Sequence, residues 1–137
     1  YAAWSPLWVV VPDWVGDRDE TLRRWEKHAP ALQAFGVPLA FAAQDGMTVE
    51  DVPGEAEVVF VGGTTSWKWR NLRSWAEAFP RVHVGRVNSK RLLEQSESVG
   101  AESCDGTGWF REPRRTQELE NYLEQNKQQQ KCLQFSL

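Results

Sequence analysis

The chain has 137 residues but only two cysteines, two histidines and one methionine. Cys104 and Cys132 fit no zinc-ligand spacing and are expected to be two reduced thiols. No apolar run is long enough to span a bilayer, and no basic-then-apolar leader opens the chain. Both absences lead to the expectation of a cytoplasmic protein without a membrane partner. The chain begins with Tyr1 rather than Met, so a few residues are expected upstream. No GxGxxG follows the first apolar run, which leaves a dinucleotide-binding fold without specific support. Basic excess is lacking as well: 16 Lys and Arg stand against 19 Asp and Glu, for a net charge of −3. Phosphate neutralisation dominates duplex affinity, so tight non-specific binding to nucleic acid is not expected, although local basic patches survive.

What is present fits one globular unit, with 41% hydrophobic and 26% charged residues. Tryptophan is unusually frequent at eight residues. It supplies large buried area and is enriched at binding hot spots, so the count raises the odds of a protein interface.

Short apolar runs alternate with helical periodicity. Leu7–Pro12, Pro38–Ala43, Glu57–Val61, Arg81–Gly85 and Ala101–Cys104 read as strands. Asp17–Ala34 reads as a helix with Leu22, Trp25, Ala29 and Leu32 on one face. Ser66–Phe79 and Ser89–Val99 read as two more, and Thr48–Val52 as a single helical turn. Thr116–Gln125 reads as a terminal helix. Asn126–Lys131 is expected to fray, and Leu133, Phe135 and Leu137 to form a short docked strand or a loose tail. The expected division is an α/β domain over 1–113 and a helix with a flexible tail over 114–137. Strand–helix alternation predicts an α/β fold with a parallel sheet; an open sheet and a barrel, or part of one, fit the order equally well.

Each predicted strand runs out into polar residues. In order these are Asp13 and Asp17; Gln44-Asp45-Gly46; Gly62-Gly63-Thr64-Thr65; Gly85-Arg86-Val87-Asn88; and Asp105-Gly106-Thr107. In a parallel sheet all five ends share one rim, where such folds place their sites. Plainer roles exist for each. Asp17 suits a helix N-cap, Gly62-Gly63 a tight turn, and Asn88 or Ser89 another N-cap. His83 reads as a packed or exposed strand residue.

The motifs PDWVGD, AFAAQDG, FVGGTT, HVGRVNS and GAESCDGT, in that order, resemble the second half of the tRNA-guanine transglycosylase superfamily. They are closer still to short phage and bacterial relatives with patterns such as AFVAQDG and HMGRVNS. The resemblance covers roughly Val9 to Thr107. It implies a half or incomplete TIM-like barrel, to which the terminal helix and tail read above are appended. It also implies a base-recognising Gln44, a base pocket lined by Gly62 and Gly63, and Asp105 as the nucleophile on the ribose carbon. Asp13 or Asp17 then lies near the family's base-binding aspartate, with Arg86 and Asn88 on the same rim. The family's upstream half and its zinc-binding Cys/His cluster are not matched, and Arg111, Arg114 and Arg115 echo its RNA-contacting loop only weakly. No cofactor or metal is expected.

Three functional expectations are drawn, and the phage and host-complex part of the first comes from the phage relatives in the resemblance rather than from the residues. The preferred one is a non-catalytic binding or regulatory protein, phage-encoded, that acts on a host protein complex such as RNA polymerase and so regulates transcription. Trp67, Trp69, Trp109 and Phe110 are its candidate partner-binding residues. The alternative is a nucleobase-binding protein or ribosyltransferase subunit, with tRNA or a nucleobase as partner and Asp105 as nucleophile. The third is an excised fragment of a longer enzyme. Oligomeric state is left open.

Overall fold

A computed structural model describes the backbone of residues 5–135 and the side chains as far as residue 129. Five parallel strands alternate with helices: β1 (Val9–Val10), α1 (Arg18–Gln33), β2 (Leu39–Ala43), β3 (Val58–Val61), α2 (Thr65–Ala78), β4 (Val82–Val84), α3 (Lys90–Ser98), β5 (Ser103–Cys104) and α4 (Pro113–Phe135). Short 3-10 turns occupy Val49–Asp51 and Gly108–Phe110. Among the described residues no helix is long and apolar enough to cross a membrane.

Strand order settles which parallel architecture this is. The sheet runs β1-β2-β3-β4-β5, each strand pairing in parallel with the next in sequence. A doubly wound sheet reverses direction at a switch point and carries helices on both faces. Here every crossover steps the same way, and the sheet curls into half a barrel. β1 and β5 are its open edges.

Side-chain alternation divides the sheet into two faces. Leu39, Phe41, Ala43, Val59, Val61, Val82 and Val84 belong to one core with Trp25 and Ala29 of α1 and Leu72 and Trp75 of α2. The opposite, concave face carries Ala40, Ala42, Val58, Phe60 and His83. There the Trp8 ring meets His83 at 4.8 Å and Phe60 at 6.4 Å, and Phe60 meets His83 at 4.7 Å.

Local signals in the sequence account for the helix starts. Asp17 is the N-cap of α1, its carboxylate accepting from the Glu20 N–H at 2.9 Å, and Ser89 caps α3. The C-terminal expectation is corrected: α4 begins at Pro113 and is continuous to Phe135. Pro113 opens the helix, where the missing N–H costs nothing, and the Gln, Lys and Glu run that follows consists of good helix formers. The alternation of Leu133 and Phe135 therefore does not mark a strand, and Leu137 lies outside the described residues.

Candidate functional site

Because the sheet is parallel, all five strands deliver their C-terminal ends to one rim. The residues found there form a hydrogen-bonded chain from β1 to β5. Gln44 follows β2 directly and is fully buried. Its Nε2 donates to Asp13 Oδ2 at 2.6 Å, and its Oε1 accepts from the N–H groups of Gly16 and Gly63, both at 2.9 Å. Gln44 thus ties the loops after β1 and β3 to β2. Three of its hydrogen-bonding sites are occupied from within the protein, which places the side chain in the floor of the rim.

Gly63 has φ 71°, and a Cβ there would lie 2.6 Å from the Trp67 ring and 2.7 Å from Asp45. Only glycine fits both the backbone and the space. Asp45 accepts from the Thr64 N–H and hydroxyl, each at 2.6 Å, at the start of α2. Burial pushes its carboxyl up, but the Thr64 bonds, its own N–H and the Arg86 charge together hold it below the usual carboxylate range.

Arg86 continues the chain. Its guanidinium donates to the Gly63 carbonyl, and its backbone N–H donates to Asp105 Oδ1 at 3.0 Å. Among the described residues it is the one non-glycine residue with positive φ, at 57°. Such a conformation costs a non-glycine residue roughly 1–2 kcal/mol and persists only where neighbours enforce it.

Asp105 lies just past β5, with its side chain about half exposed. Its Oδ2 faces His83 Nε2 at 3.0 Å, and His83 Nδ1 faces Ser103 Oγ at 2.8 Å. His83 is buried between Trp8 and Phe60. Both oxygens of an otherwise accessible carboxylate are therefore held in place. Beneath it the concave side is filled: a Cβ on Gly85 would strike Phe60 at 2.6 Å and lie 3.7 Å from Asp105 Oδ2.

Other residues singled out from the sequence take different places. Asp17 caps α1. Asn88 Oδ1 accepts from the Gly108 N–H at 2.7 Å and fastens the β4 loop to the 3-10 turn before α4. Trp109 is buried, with its indole N–H donated to the Val87 carbonyl at 2.7 Å. Trp67 and Trp69 are half-buried against the core. Phe110 alone of the four aromatics is open, at 77% exposure. Cys104 is a free thiol that burial, aided by Asp105, pushes up; the Cys132 side chain lies outside those described. Among the described residues no group of three or more His, Cys, Asp or Glu is arranged to hold a metal ion.

Two site residues escape a reading of the sequence. His83 looks like strand filler, although it is the cross-strand partner of Ser103, two residues before Asp105. Lys68 stands in line with Leu72 and Trp75 on the buried face of α2 and is only 1% exposed. A lysine at that spacing is the signal, since an ammonium is rarely buried without a partner. On the β1 loop, Trp14 is 53% exposed, with the Arg24 guanidinium 4.7 Å from its ring.

Comparison of the chain with protein-family models, with curated proteins and with solved structures finds no match.

Proposed function

We propose that the rim holds a nucleobase and that Asp105 is the nucleophile of a base-exchanging ribosyltransferase reaction. The observation that carries this reading is the state of Asp105. It is a half-exposed carboxylate with one oxygen held by the N–H of strained Arg86 and the other by buried His83. Backbone strain concentrates at sites where geometry serves function. A surface aspartate with no task has no need of it.

The chemistry such a carboxylate performs is nucleophilic displacement. A carboxylate oxygen attacks C1′ of a nucleoside; the C1′–O bond forms as the C1′–N bond breaks, and the base departs with the electron pair. An incoming base then displaces the carboxylate and restores it. Arg86 links the two sides of the proposed base site, with its guanidinium on the Gly63 carbonyl and its N–H on Asp105.

A second reading, a non-catalytic protein that binds a larger assembly such as RNA polymerase, draws on Phe110, Trp14 and Leu7, exposed at 77%, 53% and 79%. Exposed aromatics are common anchors at interfaces. The two readings separate on Asp105. The test is incorporation of radiolabelled guanine into unfractionated tRNA and into duplex DNA by the wild-type chain and by Asp105→Asn. Incorporation by the wild type alone supports the exchange reading. No incorporation by either, with a protein assembly recovered equally by both, supports the binding reading.

A further inference from the structure

The Gly85–Arg86 peptide group sits between two charged side chains from different elements. Its carbonyl accepts a hydrogen bond from Lys68 Nζ of α2. Its N–H donates to Asp105 Oδ1 at 3.0 Å, at the end of β5. In a trans peptide the C=O and N–H lie in one plane and point in opposite directions, so the two contacts grip one rigid plate from its two ends. We propose that Lys68 is a positioning residue for Asp105: its ammonium orients and polarises the Gly85–Arg86 peptide, and that peptide in turn orients the carboxylate. The inference rests on the reading of Asp105 as a nucleophile.

Three features of the structure support this role. First, local preference does not fix the plate, because Arg86 has φ 57°, a region non-glycine residues avoid. External grips must hold it, and Lys68 is the one on the carbonyl side. Second, Lys68 is 1% exposed and its contact is a carbonyl rather than a carboxylate. Burying an ammonium is costly, and a methionine of similar length would fill the same space at no such cost. Packing alone does not account for a lysine there. Third, hydrogen bonds in series polarise one another inside a protein. A cation on the carbonyl makes the N–H at the other end a better donor to a carboxylate.

The arrangement is sensitive to pH. Burial, with the Arg86 charge acting in the same direction and Asp105 against it, lowers the Lys68 ammonium from 10.5 to about 8. Those two groups are the charges that face it, Arg86 from the β4 loop and Asp105 from β5. The Trp69 ring, 5.3 Å away, is uncharged. His83, from β4, meets Asp105 on its other oxygen. Loss of the Lys68 proton above about pH 8 weakens the grip on the carbonyl.

Two measurements test this. The first uses the intact wild-type chain and reads the Gly85 carbonyl carbon by 13C-detected NMR across this pH range. The expected result is a titration with its midpoint near the Lys68 value, absent in Lys68→Met. A Gly85 carbonyl that does not titrate, or that titrates identically in both chains, overturns the contact. The second is guanine exchange. Lys68→Met should lower the turnover rate roughly ten- to a hundredfold, as expected for a supporting group behind a reactive one, with little change in the guanine concentration giving half-maximal rate. The alkaline limb near pH 8 should vanish. A Lys68→Met chain with the wild-type rate and pH profile overturns the positioning role. A wild-type chain that exchanges no base at all overturns the nucleophile reading instead, while the carbonyl titration still decides whether Lys68 controls the peptide.

Discussion

The backbone N–H of Arg86 donates to the carboxylate of Asp105 at 3.0 Å from a residue whose φ is 57°. The strained loop after β4 and the carboxylate after β5 thus hold each other in place.

Arg86→Gly and Arg86→Ala separate the strain from the side chain. Both lose the guanidinium bond to the Gly63 carbonyl. Alanine keeps the steric cost of positive φ and glycine relieves it, so the alanine variant should be the less stable by about 1 kcal/mol. Urea denaturation of the two variants measures this. Equal stabilities would mean that Arg86 carries no strain.

Gln44→Leu should be among the more damaging single changes at the rim. It leaves the Gly63 and Gly16 N–H groups without their acceptor and Asp13 without its donor. The Gly63 N–H is buried, and leaving such a group unsatisfied costs roughly 1–3 kcal/mol; exposed Gly16 and half-buried Asp13 add less, so a loss of about 2–4 kcal/mol is expected. A loss below 1 kcal/mol, read from the same denaturation curves, would contradict the placement of Gln44 as the tie between three loops.

Lys68 gives stability a pH dependence whose sign follows from linkage. Its folded pKa is about 8, against an ordinary value of 10.5. Between these values the unfolded chain binds the proton and the folded chain does not, so stability rises with pH across that window. The burial cost is present below about pH 8 and is relieved above it. The full shift corresponds to roughly 3 kcal/mol. Urea midpoints at about pH 7.5 and pH 10 should therefore converge between the wild type and a more stable Lys68→Met. Parallel curves would contradict the buried ammonium.

Much of the fold is legible in the sequence, because continuous apolar runs and period-3.6 faces are direct images of burial. All five strands and the first three helices fall where those patterns put them, and Asp17 and Ser89 announce their helix starts. The choice between an open sheet and half a barrel is not written in periodicity. It depends on which strands become neighbours, and that is set by every crossover stepping the same way. The continuation of α4 is hidden for a different reason: its Gln and Lys residues form no apolar face, although their propensity favours helix. Within the site, the strand-end cluster of Asp13, Gln44, Gly63, Arg86 and Asp105 is legible because a parallel sheet must bring those positions together. Asp17, by contrast, caps α1, and Asn88 fastens a loop. His83 and Lys68 act through contacts between elements distant in sequence, and spacing along one strand or one helix does not reveal them.

Asp105, as the proposed nucleophile, forms a transient covalent link to a ribose carbon. Acid-quenching the chain during incubation with unfractionated tRNA or duplex DNA, then digesting it and analysing the peptides by mass spectrometry, detects that link. A nucleoside-derived adduct is expected on the peptide that contains Asp105 in the wild type, and none in Asp105→Asn. Guanine exchange that proceeds in Asp105→Asn at the wild-type rate, or an adduct on a different residue, would contradict it.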